Sequence, residues 1–250
     1  MLWKRFLPWT SPPLPPSNLL AGVGQGDFWE IGRATVDLIR RTVGLTACER
    51  VLDVGCGLGR IAWPLSRQLG RRARYIGMDA SRLYVDWCRH HLGHDRRLTF
   101  THVDVRSRVY NPTGTIPAFE CVFEWPDASF DLVVATSLFT HLEPNATERF
   151  LAEIARVLSP TGRLFATFFV LDPLGRTAIA RGATFPTFEH TIPQGRLHDP
   201  ARPEAAIAFH PEWLHEALSR AGLRAGCEQS GLWKGAPGPC YQDVIAAARR

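Results

Sequence analysis

Short apolar runs alternate with longer helix-like segments through most of this chain, and that alternation constrains the fold more than any other feature. The apolar runs are rich in β-branched and aromatic residues, as strands are, and they occupy residues 50–55, 74–79, 98–104, 130–136 and 163–171. Helical spacing of apolar residues extends over residues 28–43, 60–69, 81–92 and the segment after Asn145. Because parallel strands need long crossover connections, usually helices, this pattern predicts a parallel sheet. Two later runs, 223–229 and 241–248, could close the sheet.

Several residues predict where the helices begin and end. Ser81 is a plausible N-cap, and the segment from Asn145 to Glu148 resembles a capping box. The helix that it opens should stop at the turn-forming residues 159–162. His210 would precede a further helix with Pro211 at its first position.

The sequence predicts one α/β domain over residues 27–250, preceded by a Pro-rich arm over residues 1–26. Prolines between positions 12 and 16 leave no helical apolar stretch of signal-peptide length, so we expect no export signal. Two regions, 106–127 and 172–210, break the strand–helix alternation. A long irregular insertion is usually a lid or a substrate-binding segment, so we expect residues 172–210 to shape the substrate side.

Composition favours a cytoplasmic location and argues against several partners. The net charge of +5 comes mostly from arginines scattered in short pairs, which favours a solvated surface over a nucleic-acid-binding patch. The six cysteines form no CxxC pair and do not alternate with histidine at metal-ligand spacing, as expected of reduced thiols. No apolar run approaches the roughly 20 residues that span a bilayer, so we expect no membrane insertion.

The run 51-VLDVGCGLGR-60 combines a strand, a glycine-rich turn and the start of a helix. Backbone amides in such a turn can approach a ligand closely because glycine lacks a Cβ. A dinucleotide-binding turn would need a third glycine where this chain has Arg60. Asp53, before the turn, would repel a pyrophosphate, whereas its carboxylate suits a cationic ligand that carries an amino group. The turn therefore favours S-adenosylmethionine over NAD.

Two further aspartates end the next two predicted strands. Asp79 ends the second strand, where a carboxylate can accept hydrogen bonds from both ribose hydroxyls. Asp104 ends the third strand, where a carboxylate can accept a hydrogen bond from the exocyclic amine of adenine. Each aspartate could instead cap a strand-to-helix turn. Acidic residues at three strand ends in this order favour cofactor binding.

These motifs together resemble those of the class I S-adenosylmethionine-dependent methyltransferases over residues 27–250. VLDVGCGLGR is similar to the first motif of that family, YIGMDAS to its second and THVDV to its third. FDLVVATSLFTHL and RVLSPTGRLFATFF resemble the segments around the fourth and fifth strands, with Thr161 where the family usually has a second glycine. The blocks FWEIG, YNPTGT, TSLFTHL, TFFVLDP and YQDVI suggest a bacterial subgroup often associated with saccharide or secondary-metabolite modification.

The resemblance implies an α/β, Rossmann-like, doubly wound fold with a mostly parallel seven-stranded sheet and an antiparallel C-terminal hairpin. It also implies S-adenosyl-L-methionine as the cofactor. Asp53 would reach the cofactor's ammonium through water, Asp79 would hold the ribose and Asp104 would bind adenine. The other implied contacts are Gly55, Cys56, Gly57, Thr136 and Ser137 along the methionine portion, Ala80 and Val105 beside the adenine, and Trp29 and Gly32 as a cover from the first helix.

Methyl transfer from a sulfonium is an in-line displacement with a neutral leaving group, so it needs alignment and exclusion of water above all. A base is needed if the acceptor is an aliphatic hydroxyl. Related quinone-pathway O-methyltransferases carry two glutamates and a histidine after the fourth strand and use them with a divalent cation. The corresponding residues here are Ser137, Thr140 and His141. Mg²⁺ prefers oxygen ligands, so the absence of both carboxylates predicts that no metal is bound.

His141 leaves two possibilities open. It could pack at the start of the next helix, or it could handle a proton near the acceptor. Asp172, at the end of the fifth strand, is a second candidate base. Other polar candidates in the insertion are more typical of loop stabilisation; they are Glu189, His190 and His198. Residues that could line the acceptor pocket or stack on a ring are Tyr110, Asn111, Phe185, Phe188 and Trp233.

The function predicted from the sequence is O-methylation of a hydroxyl on a small molecule, such as a sugar of a glycoconjugate or a secondary metabolite. One alternative keeps the cofactor but transfers the methyl to nitrogen or carbon. A second is an NAD(P)-dependent oxidoreductase, which Arg60 and Asp53 disfavour. A third is a non-catalytic partner protein with the same fold, which the three intact aspartates disfavour. The sequence does not constrain the oligomeric state.

Overall fold

A computed structural model describes residues 12–20, 26–46 and 49–250 of the chain. The strands within these ranges are β1 (Arg50–Val54), β2 (Arg74–Asp79), β3 (Leu98–His102), β4 (Phe130–Ala135), β5 (Leu158–Phe168), β6 (His190–Ile192), β7 (Gly195–Leu197), β8 (Ile207–Phe209), β9 (Leu223–Gln229) and β10 (Asp243–Arg249). The α-helices are α1 (Ser17–Leu20), α2 (Phe28–Val43), α3 (Ala62–Ser66), α4 (Arg82–Leu92), α5 (Pro144–Val157), α6 (Pro173–Ala180) and α7 (Pro211–Arg220). None of the helices in these ranges is both long enough and apolar enough to cross a bilayer.

The predicted Pro-rich arm, residues 1–26, lies outside the described residues except for 12–20 and Gly26. Its described part contains the short helix α1. The boundary between the arm and the domain stays a prediction.

One sheet of seven strands forms the centre of the molecule, in the order β3-β2-β1-β4-β5-β10-β9. The strands from β3 to β5 are parallel, whereas β10 is antiparallel to both of its neighbours. This confirms the predicted Rossmann-like α/β fold, with its mostly parallel sheet and antiparallel C-terminal pair. The strand order reverses between β1 and β4, and open α/β sheets bind ligands beyond the carboxyl ends of the strands at such a point.

Two hydrophobic cores, one on each face of the sheet, bury the strands. Successive strand residues point to opposite faces, so Val51 packs with α2, α3 and α4 while Leu52 packs with α5 and α7. Both side chains are completely buried. Strands buried on both faces appear as continuous apolar runs in the sequence, which is why these strands were predictable.

Strand β5 begins earlier than the sequence predicts. Residues 159–162 were expected to form a turn, but β5 starts at Leu158, directly after α5. The pairing with β4 is irregular here, because Phe130 lies opposite Leu158 while Leu132 lies opposite Arg163. The extra residues form a bulge in the strand, and Ser, Pro, Thr and Gly are compatible with a bulge as well as with a turn.

The predicted capping box at the start of α5 was wrong. The helix begins at Pro144, after Glu143, whose side chain makes no capping hydrogen bond. Asn145 lies inside the first turn, and its side chain accepts the amide of Ala146. Proline at the first helical position fixes φ without losing an intrahelical hydrogen bond, so it sets the start of α5. By contrast, the predicted cap at Ser81 is present, accepting the amide of Tyr84.

The insertion over residues 172–210 is ordered, contrary to the irregular segment that the sequence predicts. It contains α6 and a small antiparallel sheet in the order β6-β7-β8. Strand β8 is joined to the residues after β5, because the Phe209 amide donates to the Phe169 carbonyl and the Leu171 amide donates to the Phe209 carbonyl, both at 2.8 Å. Strands of three residues are too short to show a period in the sequence, so they were missed.

A buried ion pair joins this insertion to the central sheet. The ammonium of Lys234 lies 2.7 Å from Asp243 on β10 and 2.8 Å from Asp172, the N-cap residue of α6. The side chain of Lys234 is 2% exposed. Asp243 also accepts the indole N–H of Trp233 and the amide of Val170, each at 2.8 Å. The cluster fixes the position of the insertion on the sheet.

We expect Lys234→Met to lower the free energy of unfolding by about 3–5 kcal/mol, because it leaves the buried carboxylate of Asp243 without its counter-ion. Urea denaturation measures this change. Arg220→Met is a matched control, since Arg220 pairs with Glu148 where both side chains are about half exposed, and its loss should cost less than about 1 kcal/mol. Equal effects of the two substitutions would contradict the anchoring role of Lys234.

Candidate functional site

A cavity of about 1320 Å³ lies at the carboxyl ends of the parallel strands. Its walls come from the segments that follow β1 to β4, from α2, from the start of α5 and from the insertion. The predicted site residues that line it are Gly55, Cys56, Gly57, Asp79, Ala80, Val105, Thr136, Ser137 and His141. The predicted site residues that do not line it are Trp29, Gly32, Asp53, Asp104 and Asp172.

The glycine turn after β1 forms one wall of the cavity. Gly55, Gly57 and Gly59 have φ values of 76°, 53° and 71°, in the left-handed region that favours glycine. A Cβ on Gly59 would lie only 2.5 Å from the side chain of Leu92, so α4 packs directly against the turn. Residues with side chains would strain this backbone, which explains the glycine spacing seen in the sequence.

Asp79 links the glycine turn to the start of α4. Its carboxylate accepts the amide of Gly57 and the amide of Ser81, both at 2.8 Å. Burial raises the pKa of Asp79, and the two amide donors oppose that rise. A carboxylate accepts more than one hydrogen bond at each oxygen, so Asp79 retains acceptor capacity toward a ligand in the cavity.

Asp53 lies behind the turn and is 1% exposed. Its Oδ2 atom accepts the hydroxyl of Tyr75 at 2.6 Å, and its Oδ1 atom has no hydrogen-bond partner among the described residues. Burial, together with the nearby charge of Asp79, raises the pKa of Asp53 to about 7, although the Tyr75 hydroxyl opposes this. A buried, unpaired carboxylate oxygen is costly, and a cationic group nearby would compensate it.

Helix α2 faces the cavity with different residues from those that the sequence suggested. Phe28, Ile31 and Thr35 line the cavity, at helical spacing. Gly32 instead lets α2 approach the turn, because a Cβ there would collide with the carbonyl of Arg60. Trp29 is 4% exposed and donates its indole N–H to the Pro12 carbonyl at 3.1 Å. The roles of these two residues as a cofactor cover stay predictions.

Asp104 uses both carboxylate oxygens to hold a neighbouring loop. It accepts the hydroxyl of Thr115 at 2.6 Å and the side-chain amide of Asn111 at 3.2 Å. These donors lower the pKa of Asp104. Val105, the next residue, lines the cavity. Its role beside the adenine stays a prediction, as does that of Asp104, whose observed contacts are structural.

The end of β4 carries a polar network. Ser137 has a φ of 55°, unusual for a residue with a side chain. The backbone amide of Ser137 donates to the Thr167 hydroxyl at 2.7 Å. The Ser137 hydroxyl donates to the side-chain oxygen Oε1 of Gln242 at 3.0 Å. Thr167 also donates to Gln242, at 2.6 Å. Gln242 and Thr167 both line the cavity, and the mutual bonds hold the backbone at Ser137 in place.

His141 closes the short 3-10 helix Phe139–His141 and lines the cavity. Its Nδ1 atom lies 2.8 Å from the carbonyl oxygen of Glu204 in the insertion. A carbonyl only accepts, so Nδ1 carries a hydrogen and, in the neutral ring, Nε2 carries the lone pair. Burial lowers the pKa of His141, and the carbonyls of Glu204 and Ala205 oppose this shift only in part. The ring is therefore neutral at pH 7, and the lone pair on Nε2 can accept a proton.

Glu204 ties the insertion to the loop after β3. Its carboxylate accepts the hydroxyl of Ser107 at 2.7 Å and the amide of Arg108 at 3.0 Å. The ring of Tyr110 in the same loop meets His141 edge to face, with centroids 6.3 Å apart. The insertion, the loop and His141 thus form one connected wall of the cavity.

The other candidates from the sequence lie elsewhere. Asp172 caps α6 by accepting the Gly175 amide at 2.8 Å and pairs with Lys234, so its contacts are structural and its catalytic role stays a prediction. Phe188 and Trp233 belong to a small core and do not line the cavity, whereas Phe185 does. The remaining loop candidates, outside the cavity lining, are Asn111, Glu189, His190 and His198.

Several lining residues were not predicted from the sequence. They are Phe28, Ile31, Thr35, Tyr84, Phe119, Phe150, Phe169, Glu204, Tyr241 and Gln242. The helical spacing of Phe28, Ile31 and Thr35 could have identified that face of α2. No local pattern marks Glu204, because its partners are about 60 to 100 residues away in the chain.

The arrangement fits the cofactor that the motifs imply. The glycine turn leaves space next to the backbone, and Asp79 offers an acceptor at the cavity wall. Behind the turn, Asp53 has a buried carboxylate oxygen without a hydrogen-bond partner among the described residues. Across residues 12–20, 26–46 and 49–250, no three His, Cys, Asp or Glu side chains converge in a group that could hold a metal ion.

Comparison with known proteins agrees with this geometry. A family model described as a methyltransferase domain matches residues 51–162. The chain is 29% identical over 214 residues to aklanonic acid methyltransferase DauC of Streptomyces sp. (strain C5), covering 82% of this chain and 84% of that protein. It is 29% identical over 203 residues to nocamycin O-methyltransferase of Saccharothrix syringae, covering 77% of this chain and 60% of that protein.

The fold is also similar to that of a solved structure, the PH0226 protein of Pyrococcus horikoshii OT3. The TM-score is 0.61 at 15% sequence identity, over 92% of this chain and 94% of that one. The glycine turn, the aspartate at the end of β2, the family match and the sheet order agree with one another. Residues 51–162 therefore form a methyltransferase domain, and the sheet order and the motifs are similar to those of the class I S-adenosylmethionine-dependent methyltransferases.

Proposed function

We propose that this methyltransferase transfers the methyl group to a hydroxyl oxygen of a small molecule, with His141 as the general base. The observation that carries the proposal is the hydrogen bond from His141 Nδ1 to the Glu204 carbonyl, which leaves Nε2 as the proton acceptor in a ring that lines the cavity. A base at this place serves an oxygen acceptor, because a neutral hydroxyl is a poor nucleophile until its proton is removed.

The cofactor supplies an electrophilic methyl group on a sulfonium. The residues of this chain position the reactants and exclude water, which provides most of the rate acceleration in such a displacement. We assign Asp79 to the ribose, Asp53 to the ammonium through water, and the segment with Thr136 and Ser137 to the side of the sulfonium. His141 accepts the hydroxyl proton and passes it to solvent.

Two relatives support a small-molecule acceptor, since one is named for aklanonic acid and the other for nocamycin O-methylation. The chain spans 60% of the second relative, so its substrate does not transfer directly. The main alternative is transfer to nitrogen or carbon, in which case removal of the base would leave turnover intact. A protein without activity would bind S-adenosylhomocysteine and transfer no methyl group.

Asp79→Ala should weaken binding of S-adenosylhomocysteine at least about 100-fold, because two charge-assisted hydrogen bonds of about 1.5 kcal/mol or more each are lost. Isothermal titration calorimetry measures this affinity, with NAD as a ligand that should not bind. Asp86→Ala on the exposed side of α4 is the matched control. Unaltered affinity of Asp79→Ala would refute the ribose role. Failure of the natural chain to bind S-adenosylhomocysteine at millimolar concentration would refute the proposed function.

The affinity for S-adenosylhomocysteine should rise with pH through about 7. Because the pKa of Asp53 is raised to about 7, its carboxyl is neutral below that pH and charged above it, and only the charged form attracts the ammonium. The dissociation constant should therefore fall by roughly tenfold between pH 6 and pH 8, as expected for one titrating group. Asp53→Asn should bind more weakly and without this slope. A slope that persists in Asp53→Asn would assign it to another group.

His141→Asn should reduce kcat by about 10²–10⁴-fold, the usual contribution of a general base. The asparagine amide can still donate to the Glu204 carbonyl, so the substitution removes the base while it retains the anchor. Affinity for S-adenosylhomocysteine should not change. If His141→Asn and His141→Ala both retain full turnover, the histidine only packs against the insertion and the acceptor atom needs no base.

A further inference from the structure

The acceptor side of the cavity carries an inference about the substrate class, which rests on the proposed O-methyl transfer. Binding pockets for one small ligand usually enclose about 300–1,000 Å³, and this cavity, at about 1320 Å³, exceeds that range. It therefore has room for an acceptor beside the cofactor. The chemistry of the lining around His141 indicates what that acceptor is.

Tyr241 presents a fixed aromatic ring to the same cavity as His141. Their chain neighbours meet, because the side-chain amide of Gln242 donates to the hydroxyl of Thr140 at 3.4 Å. Its hydroxyl donates to the backbone oxygen of Phe185, and its ring meets that of Phe169 at 89°, with centroids 6.2 Å apart. Phe169 is itself held by Trp233 and Phe188 at 5.2 and 5.1 Å. The Tyr241 residue is nevertheless 47% exposed. A ring that is immobilised at its edge while much of its surface is open is suited to stack on a flat ligand.

More aromatic side chains line the same cavity. Tyr110 contacts the histidine ring, and Phe150 lies at the cavity from α5. Phe119 and Phe185 line it as well and are 49% and 73% exposed. Most of the cavity surface is apolar, which is typical of sites whose ligands are largely apolar.

Three neutral polar side chains on the lining are paired with one another. Ser137, Thr167 and Gln242 form a closed network of hydrogen bonds. A sugar carries a hydroxyl on nearly every carbon, and each hydroxyl without a partner in a desolvated site reduces affinity. This lining therefore disfavours a sugar ring and favours an acceptor with few polar atoms.

The lining of the cavity carries charges of both signs. The carboxylates of Asp79 and Glu204 accept hydrogen bonds from the protein, and Glu143 is exposed. Arg106 and Arg108 also line the cavity, and the backbone amide of Arg108 donates to Glu204. Because acidic and basic side chains both line the cavity, its charges favour a neutral acceptor over a strongly charged one.

The basicity of His141 limits which kind of hydroxyl it can deprotonate. Burial lowers the pKa of the imidazole below its usual value of 6.5, so it is a weak base. The pKa of a phenolic hydroxyl is about 10, as in tyrosine. The pKa of an aliphatic alcohol lies much closer to that of water, which is about 15.7. Proton transfer to a weak base is far easier from the phenol.

We propose that the acceptor is a planar aromatic molecule with a phenolic hydroxyl, which stacks on Tyr241 and gives its proton to His141. As the bond from the phenolic oxygen to the methyl carbon forms, the carbon–sulfur bond breaks and its electron pair stays on sulfur as a neutral thioether. The phenolic proton goes to Nε2 of His141 and from there to water.

The test compares 2-naphthol with its saturated analogue decahydro-2-naphthol, which has a similar size and an aliphatic hydroxyl. Protein saturated with S-adenosylhomocysteine should bind 2-naphthol at least about tenfold more tightly, and with S-adenosylmethionine only 2-naphthol should be methylated. Tyr241→Ala should weaken 2-naphthol binding about 3- to 10-fold, as expected for loss of one aromatic contact. Tyr241→Phe should retain most of the affinity.

Leu232→Ala is the matched control, because Leu232 is 49% exposed and does not line the cavity. Equal binding of the two alcohols, methylation of methyl glucoside in preference to 2-naphthol, or unchanged naphthol affinity in Tyr241→Ala would overturn the aromatic acceptor. In each of these cases S-adenosylhomocysteine would still bind. If the proposed function itself is wrong, the result is different: the natural chain binds no S-adenosylhomocysteine, or it transfers no methyl group to any of these acceptors.

Discussion

The carboxylate of Asp79 is the interaction on which the cofactor side of this protein depends. By accepting the amides of Gly57 and Ser81, it joins the turn after β1 to the start of α4. Buried amides without acceptors would cost free energy, so the left-handed backbone of the glycine turn persists because this acceptor is present. Architecture and the proposed ribose contact therefore coincide in one side chain.

A second set of hydrogen bonds organises the opposite side of the cavity. Glu204 holds the loop after β3 through its side chain and His141 through its main chain. The insertion that carries Glu204 is in turn fixed to the sheet by the buried pair of Lys234 and Asp243. Three segments distant in sequence thus form the proposed acceptor side of the cavity. Polar contacts as well as apolar packing hold each segment in place.

This division explains how much the sequence could predict. Strands buried on both faces appear as apolar runs, and the glycine turn with Asp79 follows from local spacing, so the sheet and much of the cofactor wall were predictable. The proposed acceptor side of the cavity was not predictable, because Glu204 and Tyr241 act through contacts that no local sequence pattern encodes. Asp104 follows β3 and Asp172 follows β5. The sequence predicted a cofactor contact for the first and a possible base for the second, yet their hydrogen bonds go to a neighbouring loop and helix.

The histidine anchor has an evolutionary consequence. The hydrogen bond from His141 is accepted by a main-chain carbonyl. A change of side chain at position 204 therefore does not remove this hydrogen bond. Only a change in the path of the chain, such as a shortened or exchanged insertion, would release the imidazole. Grafting an insertion from a relative to alter substrate choice would therefore also change the orientation of the His141 imidazole, the proposed general base. Substrate choice and the orientation of this ring would then have to be selected together.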